Sequence, residues 1–229
     1  MAPAHPAIGT LREGPLHAAL KRWYADPGDR VETPVEGFVI DIVRDNLLIE
    51  IQTRSFSSMK GKLQTLLGGG HSIRIVHPIA VNRWIVKVDD DGTPTSRRRS
   101  PRHGSVYDIF SELVSIVGYL SAPNLEIEIL LTEEEELRHH TPDASWRRKG
   151  WSVLERRLLT VNGSTLLGSV HDLVGLLPPG LTTSFTTADI ATAAGINRRV
   201  AQQTAYCLRE IEGIQAVGKS GNAIKYCLV

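Results

Sequence analysis

Asp41, Glu50 and Gln52 are the residues of this chain whose types and spacing could do chemistry. Each acid has isoleucine on both sides, and a lone carboxylate buried there is costly without a partner. Asp41 closes the apolar run 37–41, whereas Glu50 and Gln52 sit in the run 48–52. Between them, Asp45-Asn46 is turn chemistry that tolerates left-handed backbone geometry. Side chains alternate faces along a strand, so Glu50 and Gln52 project from the same side. An antiparallel partner would bring Asp41 alongside them. Two carboxylates and an amide at a sheet edge suit a hard divalent cation, Mg²⁺ or Mn²⁺, with positions left for water and phosphate. The competing reading is a half-buried hairpin whose acids face water.

The elements that must position this hairpin are legible around it. Leu16, Leu20 and Trp23 have helical spacing and predict a helix over 15–24, ended by Pro27-Gly28. Ser57-Ser58 can cap a helix through Leu63, Leu66 and Leu67, stopped by three glycines at 68–70. Strands are expected at 72–77 and 83–88, and the acidic run 89–92 reads as a solvated turn. A basic loop, 97–104, feeds a capping-box start at Ser105 and a helix with Ile109, Phe110, Leu113, Ile116, Val117 and Leu120 on its buried face. Arginine forks and a helix N-terminus together suit a phosphate, and Arg99 and Arg102 are the candidates there. The alternating stretch 125–131 predicts a last strand, and Thr132 with Glu133–Glu136 predicts the acidic first turn of a helix.

The acid on one strand followed by an acid-x-Gln on the next resembles the PD-(D/E)XK nuclease superfamily, in its acid-x-Gln variant. The resemblance covers roughly the first half of the chain. It implies a restriction-endonuclease-like α/β core in which Asp41 and Glu50 hold Mg²⁺ or Mn²⁺ and Gln52 positions the attacking water. Glu13, on the first helix, would complete the metal shell, and Glu36 is another nearby acid. Lys60 and Lys62 would track a nucleic-acid backbone.

From residue 139 the character changes. Residues 139–143 read as a linker and 146–157 are dense in Arg, Lys and Trp. A strand ended by Asn162-Gly163 is expected over 151–161, with a short helix as the alternative, and a further short helix over 169–177. Thr187 caps a helix to Ala194, Gly195 turns the chain, and Asn197 caps a third helix over 198–211. Two strands joined at 220–222 follow. This order is similar to a winged helix-turn-helix domain, which implies nucleic-acid contact through Arg198, Arg199, Gln202 and the wing residue Lys219. The expected organisation is therefore a nuclease-like mixed sheet flanked by helices over 1–138, a basic linker over 139–150 and a winged-helix domain over 151–229.

The chain has 229 residues, 41% of them hydrophobic, with 26 Lys and Arg against 25 Asp and Glu, a net charge of +1. Nucleic-acid binding must then come from local patches, because the whole molecule carries no basic field. No apolar run reaches bilayer length and residues 1–10 lack a signal-peptide core, so a cytoplasmic protein with no membrane partner is expected. Cys207 and Cys227 are expected as reduced thiols. The function expected first is metal-dependent cleavage of nucleic acid, DNA before RNA. Many enzymes that cut both strands act as dimers, and a second copy is a further expected partner. The alternatives are a catalytically inactive DNA-binding or regulatory protein on a nuclease-like scaffold, and an interaction protein whose recognition helix is buried. Exposed Arg198 and Arg199 would speak against the last.

Overall fold

A computed structural model describes residues 13–141 and 150–229. Its centre is one large mixed sheet. Strands β1 (Arg30–Val35), β2 (Phe38–Arg44) and β3 (Leu47–Ile51) form an antiparallel meander. The turn between β2 and β3 places Asp45 at φ 50°, as the Asp-Asn pair suggested. β3 then runs parallel to the first half of β4 (Ser72–Val88), joined through a 3₁₀ turn at Phe56–Met59 and helix α2 (Lys60–Gly68). The sheet order is β1-β2-β3-β4-β6-β7, with β5 (Pro94–Arg99) paired to β4 beyond the end of β3. β6 (Leu125–His140) is parallel to β4, and β7 (Trp151–Leu167) is antiparallel to β6.

Helix α1 (Pro15–Tyr24) lies where the leucine spacing put it, with Pro15 at its start. It lays Leu16, Leu20 and Tyr24 on Ile42, Ile49, Ile51, Val76 and Leu130. Leu20 is fully buried, so truncation to alanine would cost about 2–5 kcal/mol and loosen the helix that carries His17 and Lys21. The other face holds the main core, built from Phe56, Leu63, Leu66, Ile73, Ile75, Phe110 and Ile127 among others.

Several expectations are corrected by long-range pairing. Residues 72–77 and 83–88 are one 17-residue strand, β4. Arg97, Arg98 and Arg99 belong to a strand, β5, opposite Val86, Ile85 and Trp84. The stretch after Ser105 is three short pieces, a 3₁₀ turn (Val106–Ile109), helix α3 (Phe110–Leu113) and a second 3₁₀ segment (Val114–Tyr119) broken at Ile116. The acidic run Glu133–Glu136 starts no helix. It continues β6, because β4 and β7 flank it on both sides. Asn162-Gly163 does not end a strand either; Gly163 pairs with Leu131 at a register shift, and β7 continues to Leu167. Trp151, the expected start of a second domain, is therefore the first residue of a strand in the large sheet. The expected linker falls mostly on 142–149, outside the described residues.

Beyond β7 come α4 (Val170–Gly175), α5 (Thr187–Ala194), α6 (Arg198–Glu210) and the hairpin β8 (Ile214–Ser220) with β9 (Ala223–Leu228). Ser169 caps α4, Thr186 rather than Thr187 caps α5, and Asn197 caps α6 through the Val200 amide. Gly195 turns the chain between α5 and α6 at φ 64°. α6 buries Val200, Ala201, Thr204, Ala205, Cys207 and Leu208, of which Ala201, Ala205, Cys207 and Leu208 join the main core. Cys207 and Cys227 are free thiols, and burial pushes the Cys207 thiol up to about 12. Among the described residues no helix is long and apolar enough to cross a membrane.

Candidate active site

The β2–β3 ladder pairs Arg44 with Leu47, Val43 with Leu48 and Ile42 with Ile49. Asp41 and Glu50 come next along the two strands and line a cleft of about 770 Å³. The start of α1, the β2–β3 end, Lys62 of α2 and residues 153–156 of β7 line it. Glu13, Asp41, Glu50, Gln52 and Lys62, scattered in sequence, all meet here.

Asp41 accepts the Ile51 amide on Oδ2 at 2.8 Å, and His17 Nε2 donates to the same oxygen at 3.1 Å. His17 Nδ1 reaches Glu13 at 2.6 Å, and Lys21 Nζ sits 2.7 Å from that same carboxylate. Burial would raise the Asp41 carboxyl, but His17, the Ile51 amide and Lys21 outweigh it and hold it below its ordinary value. Burial would likewise lower His17, yet Asp41 and Glu13 together raise it, so the imidazolium form is favoured between two acids. Glu13 thus reaches Asp41 through His17 and not directly.

Glu50 is the opposite case. It is 9% exposed, and Lys62 is its side-chain partner, with Nζ at 2.8 Å from Oε1 and 3.0 Å from the Val39 carbonyl. Burial pushes its carboxyl up to about 7, against the pull of Lys62 and with the push of Asp41. A carboxylate this buried beside a second acid gains from a further cation. The Asp41 Oδ1 atom has no hydrogen-bond partner among the described residues. Two hard oxygen donors lining one cleft would suit a Mg²⁺ or Mn²⁺ ion that keeps most of its waters. Among the described residues no group of three or more His, Cys, Asp or Glu side chains has metal-holding geometry, so the protein offers this pair and no closed cage.

Gln52 turns its amide away from the acids, donating to the Ser55 carbonyl at 2.8 Å and to Ser58 Oγ at 3.0 Å. It braces the bend between β3 and the 3₁₀ turn. Lys62, expected on a nucleic-acid backbone, instead supplies the cation beside Glu50. Lys60 is exposed on α2. Arg99 hydrogen-bonds Asn82, and Arg102 lines a neighbouring cavity with Arg54. Arg198, Arg199, Gln202 and Lys219 are exposed on α6 and β8 and do not line the cleft. His17, Lys21 and Arg156 were missed. The four-residue step from Glu13, just ahead of α1, to His17 in its first turn is the signal that could have found the first.

Residues 14–167 match a family described as a domain of unknown function, DUF8091. The chain belongs to that family. The match starts at the foot of α1 and ends at the last residue of β7, so it spans the whole large sheet and stops before α4. The chain is also similar to an uncharacterized protein of Treponema pallidum (strain Nichols), 29% identical over 196 residues that cover 85% of this chain and 78% of the relative. No solved structure matches it.

Proposed function

We propose that this DUF8091 chain is a metal-dependent nucleic-acid phosphodiesterase, acting on DNA before RNA, built on a restriction-endonuclease-like core. The observation that carries the reading is the meeting of Asp41, Glu50 and Lys62 in one cleft, with Lys62 Nζ 2.8 Å from Glu50. The order helix, three antiparallel strands, helix, parallel strand around that pair supports it further. Held between the two carboxylates, Mg²⁺ or Mn²⁺ would supply an acidified water and neutralise charge on the phosphate. Asp41 is presented in one orientation by the Ile51 amide and His17. Glu50, whose carboxyl burial pushes up to about 7, would be the second ligand and would bind the ion as the carboxylate. Lys62 brings a fixed positive charge to the reacting phosphate, taking over the place that Gln52 leaves without one.

The exposed N-terminal turn of α6, with Arg198, Arg199 and Gln202, supports reading α5, α6 and the β8–β9 hairpin as a winged helix that engages the DNA duplex. Lys219 on the hairpin would serve as the wing contact. A second reading, a non-catalytic DNA-binding scaffold, is favoured by the Gln52 amide being committed to Ser55 and Ser58.

Incubating the protein with single- and double-stranded DNA and RNA in Mg²⁺, Mn²⁺ or EDTA decides between them. Metal-dependent cutting that Glu50→Ala abolishes is expected. Binding without cutting by the wild type under every condition would leave the scaffold reading.

A further inference from the structure

A second cavity of about 280 Å³ adjoins the acid cleft, and Thr53, Arg54 and Arg156 line both. Its lining differs in charge. The cleft mixes His17, Lys21, Arg54, Lys62 and Arg156 with five acids, whereas the second cavity sets Arg54, Arg83, Arg102 and Arg156 against Asp108 and Glu112 alone. Those two acids are already engaged by backbone. Asp108 accepts the Ser105 amide at 3.3 Å and Glu112 accepts the Phe56 amide at 3.1 Å.

The arginines, by contrast, are under-used. Arg83 sits 3.4 Å from Glu134 and 3.6 Å from Glu136, and its buried Nε has no partner among the described residues. Arg156 is 3.4 Å from Glu136, while Arg138 holds that carboxylate at 2.5 Å. Charge-assisted pairs normally close to about 2.7–2.9 Å, so Arg83 and Arg156 retain donor capacity. Arg102 is 3.9 Å from Asp108 and mostly exposed, and Arg54 has no ion-pair partner among the described residues. The loop bearing Arg102 is nonetheless anchored. The Gly104 amide donates to the Ala80 carbonyl at 2.9 Å, and a Cβ there would lie only 2.6 Å from that oxygen.

We infer that this cavity is a phosphate subsite for the nucleic-acid strand, holding the phosphate next to the scissile one in the forks of Arg54, Arg83, Arg102 and Arg156. The inference rests on the phosphodiesterase reading for which phosphate lies in the acid cleft. A planar guanidinium pairs two phosphate oxygens at once, and several around one small cavity fix the register of a strand that the acid pair alone would leave free to slide. The ligand chemistry is a phosphate oxyanion, either an internal phosphodiester or a terminal phosphate.

The test uses the full chain with Ca²⁺ in place of Mg²⁺ and a short labelled single-stranded DNA, with and without a 5′ phosphate. Binding is read by fluorescence anisotropy across salt. The doubly substituted Arg54→Gln/Arg102→Gln protein changes only exposed side chains and should keep its circular dichroism spectrum and melting temperature. It is expected to bind roughly tenfold or more weakly. Its plot of log affinity against log salt should flatten by about 1.4, since each lost contact to a single strand is worth about 0.7. Weakening with both oligonucleotides assigns the cavity to an internal phosphate; weakening with the phosphorylated one alone assigns it to a strand end. Unchanged affinity and slope, with wild-type cutting still dependent on Glu50, would overturn the subsite and spare the phosphodiesterase. Weakened binding by a protein that never cuts would keep the phosphate site and remove the enzyme.

Discussion

This sheet buries glutamates in two places, and it treats them differently. Glu136, on β6, is 3% exposed and has Arg138, Arg156 and Arg83 around it at 2.5, 3.4 and 3.6 Å. Burial would raise its carboxyl, but the three guanidinium groups outweigh that and hold it below its ordinary value. Glu50, on β3, has Lys62 for a side-chain partner and a like charge, Asp41, close by, and it is pushed up to about 7. The same side chain is therefore a settled structural ion at one end of the sheet and a poorly satisfied acid at the other. What decides is the number and sign of the neighbours, since burial acts on both in the same direction. An acid left short of positive charge in an open cleft is where a cation or a proton will go.

That contrast can be broken by substitution. The largest effect is expected from Glu50→Ala, which should lower metal-dependent cleavage by about 10³-fold while leaving the melting temperature nearly unchanged; equal cutting by mutant and wild type would remove Glu50 from the chemistry. Glu136→Ala should do the reverse. It leaves three arginines facing a gap and should cost about 3 kcal/mol in a denaturant titration, the low end for a broken buried pair because those arginines can re-solvate. A Glu136→Ala protein as stable as the wild type would show that the ion cluster is not structural.

The pH dependence should differ in sign. The folded Glu50 carboxyl lies above its ordinary 4.5, so its contribution is full below about pH 4.5 and is lost as pH rises through 7. Relative to Glu50→Gln, the wild type should lose up to about 3 kcal/mol between pH 4.5 and 8, and added Mn²⁺ should restore part of it. The folded Glu136 carboxyl lies below its ordinary value, so its contribution is present above 4.5 and is lost as pH falls further. Parallel melting curves for wild type and Glu50→Gln at every pH would contradict the first half.

Smaller effects sharpen the roles of two neighbours. Lys62→Gln should reduce cleavage about a hundredfold, whereas Gln52→Ala should change it only a few-fold. The reverse ranking would return the water-positioning role to Gln52. On binding and not on cutting, Arg198→Gln/Arg199→Gln should weaken the duplex complex roughly tenfold and reduce its salt dependence, with single-turnover cutting of bound strands unaffected. Unchanged duplex binding would take α6 out of the interface.

Legibility followed range. The β2–β3 hairpin could be read because its signals lie within the segment: two apolar runs, an Asp-Asn turn and acids in strand alternation. α1 and the Asn197 cap of α6 were legible for the same reason, since spacing and capping are local. Glu133–Glu136 misled because four consecutive acids after a threonine match a helix start, and nothing within the segment announces β4 and β7 on either side. Arg97–Arg99 misled likewise, as a charged strand is visible only once β4 is there to pair with it.

Local order along the chain settled that Asp41 and Glu50 would sit side by side, because a two-residue turn and strand alternation leave little freedom. Tertiary folding decided which cation the protein itself supplies. α2 brings Lys62 to Glu50, and Gln52 is drawn off to brace a bend. It also decided that Arg54, Arg83, Arg102 and Arg156 meet around one cavity, from a loop, a central strand, a second loop and an edge strand. Charges so far apart in sequence interact only after the sheet has closed the distance, and Coulomb energy depends on that distance and on burial, neither of which a linear chain contains.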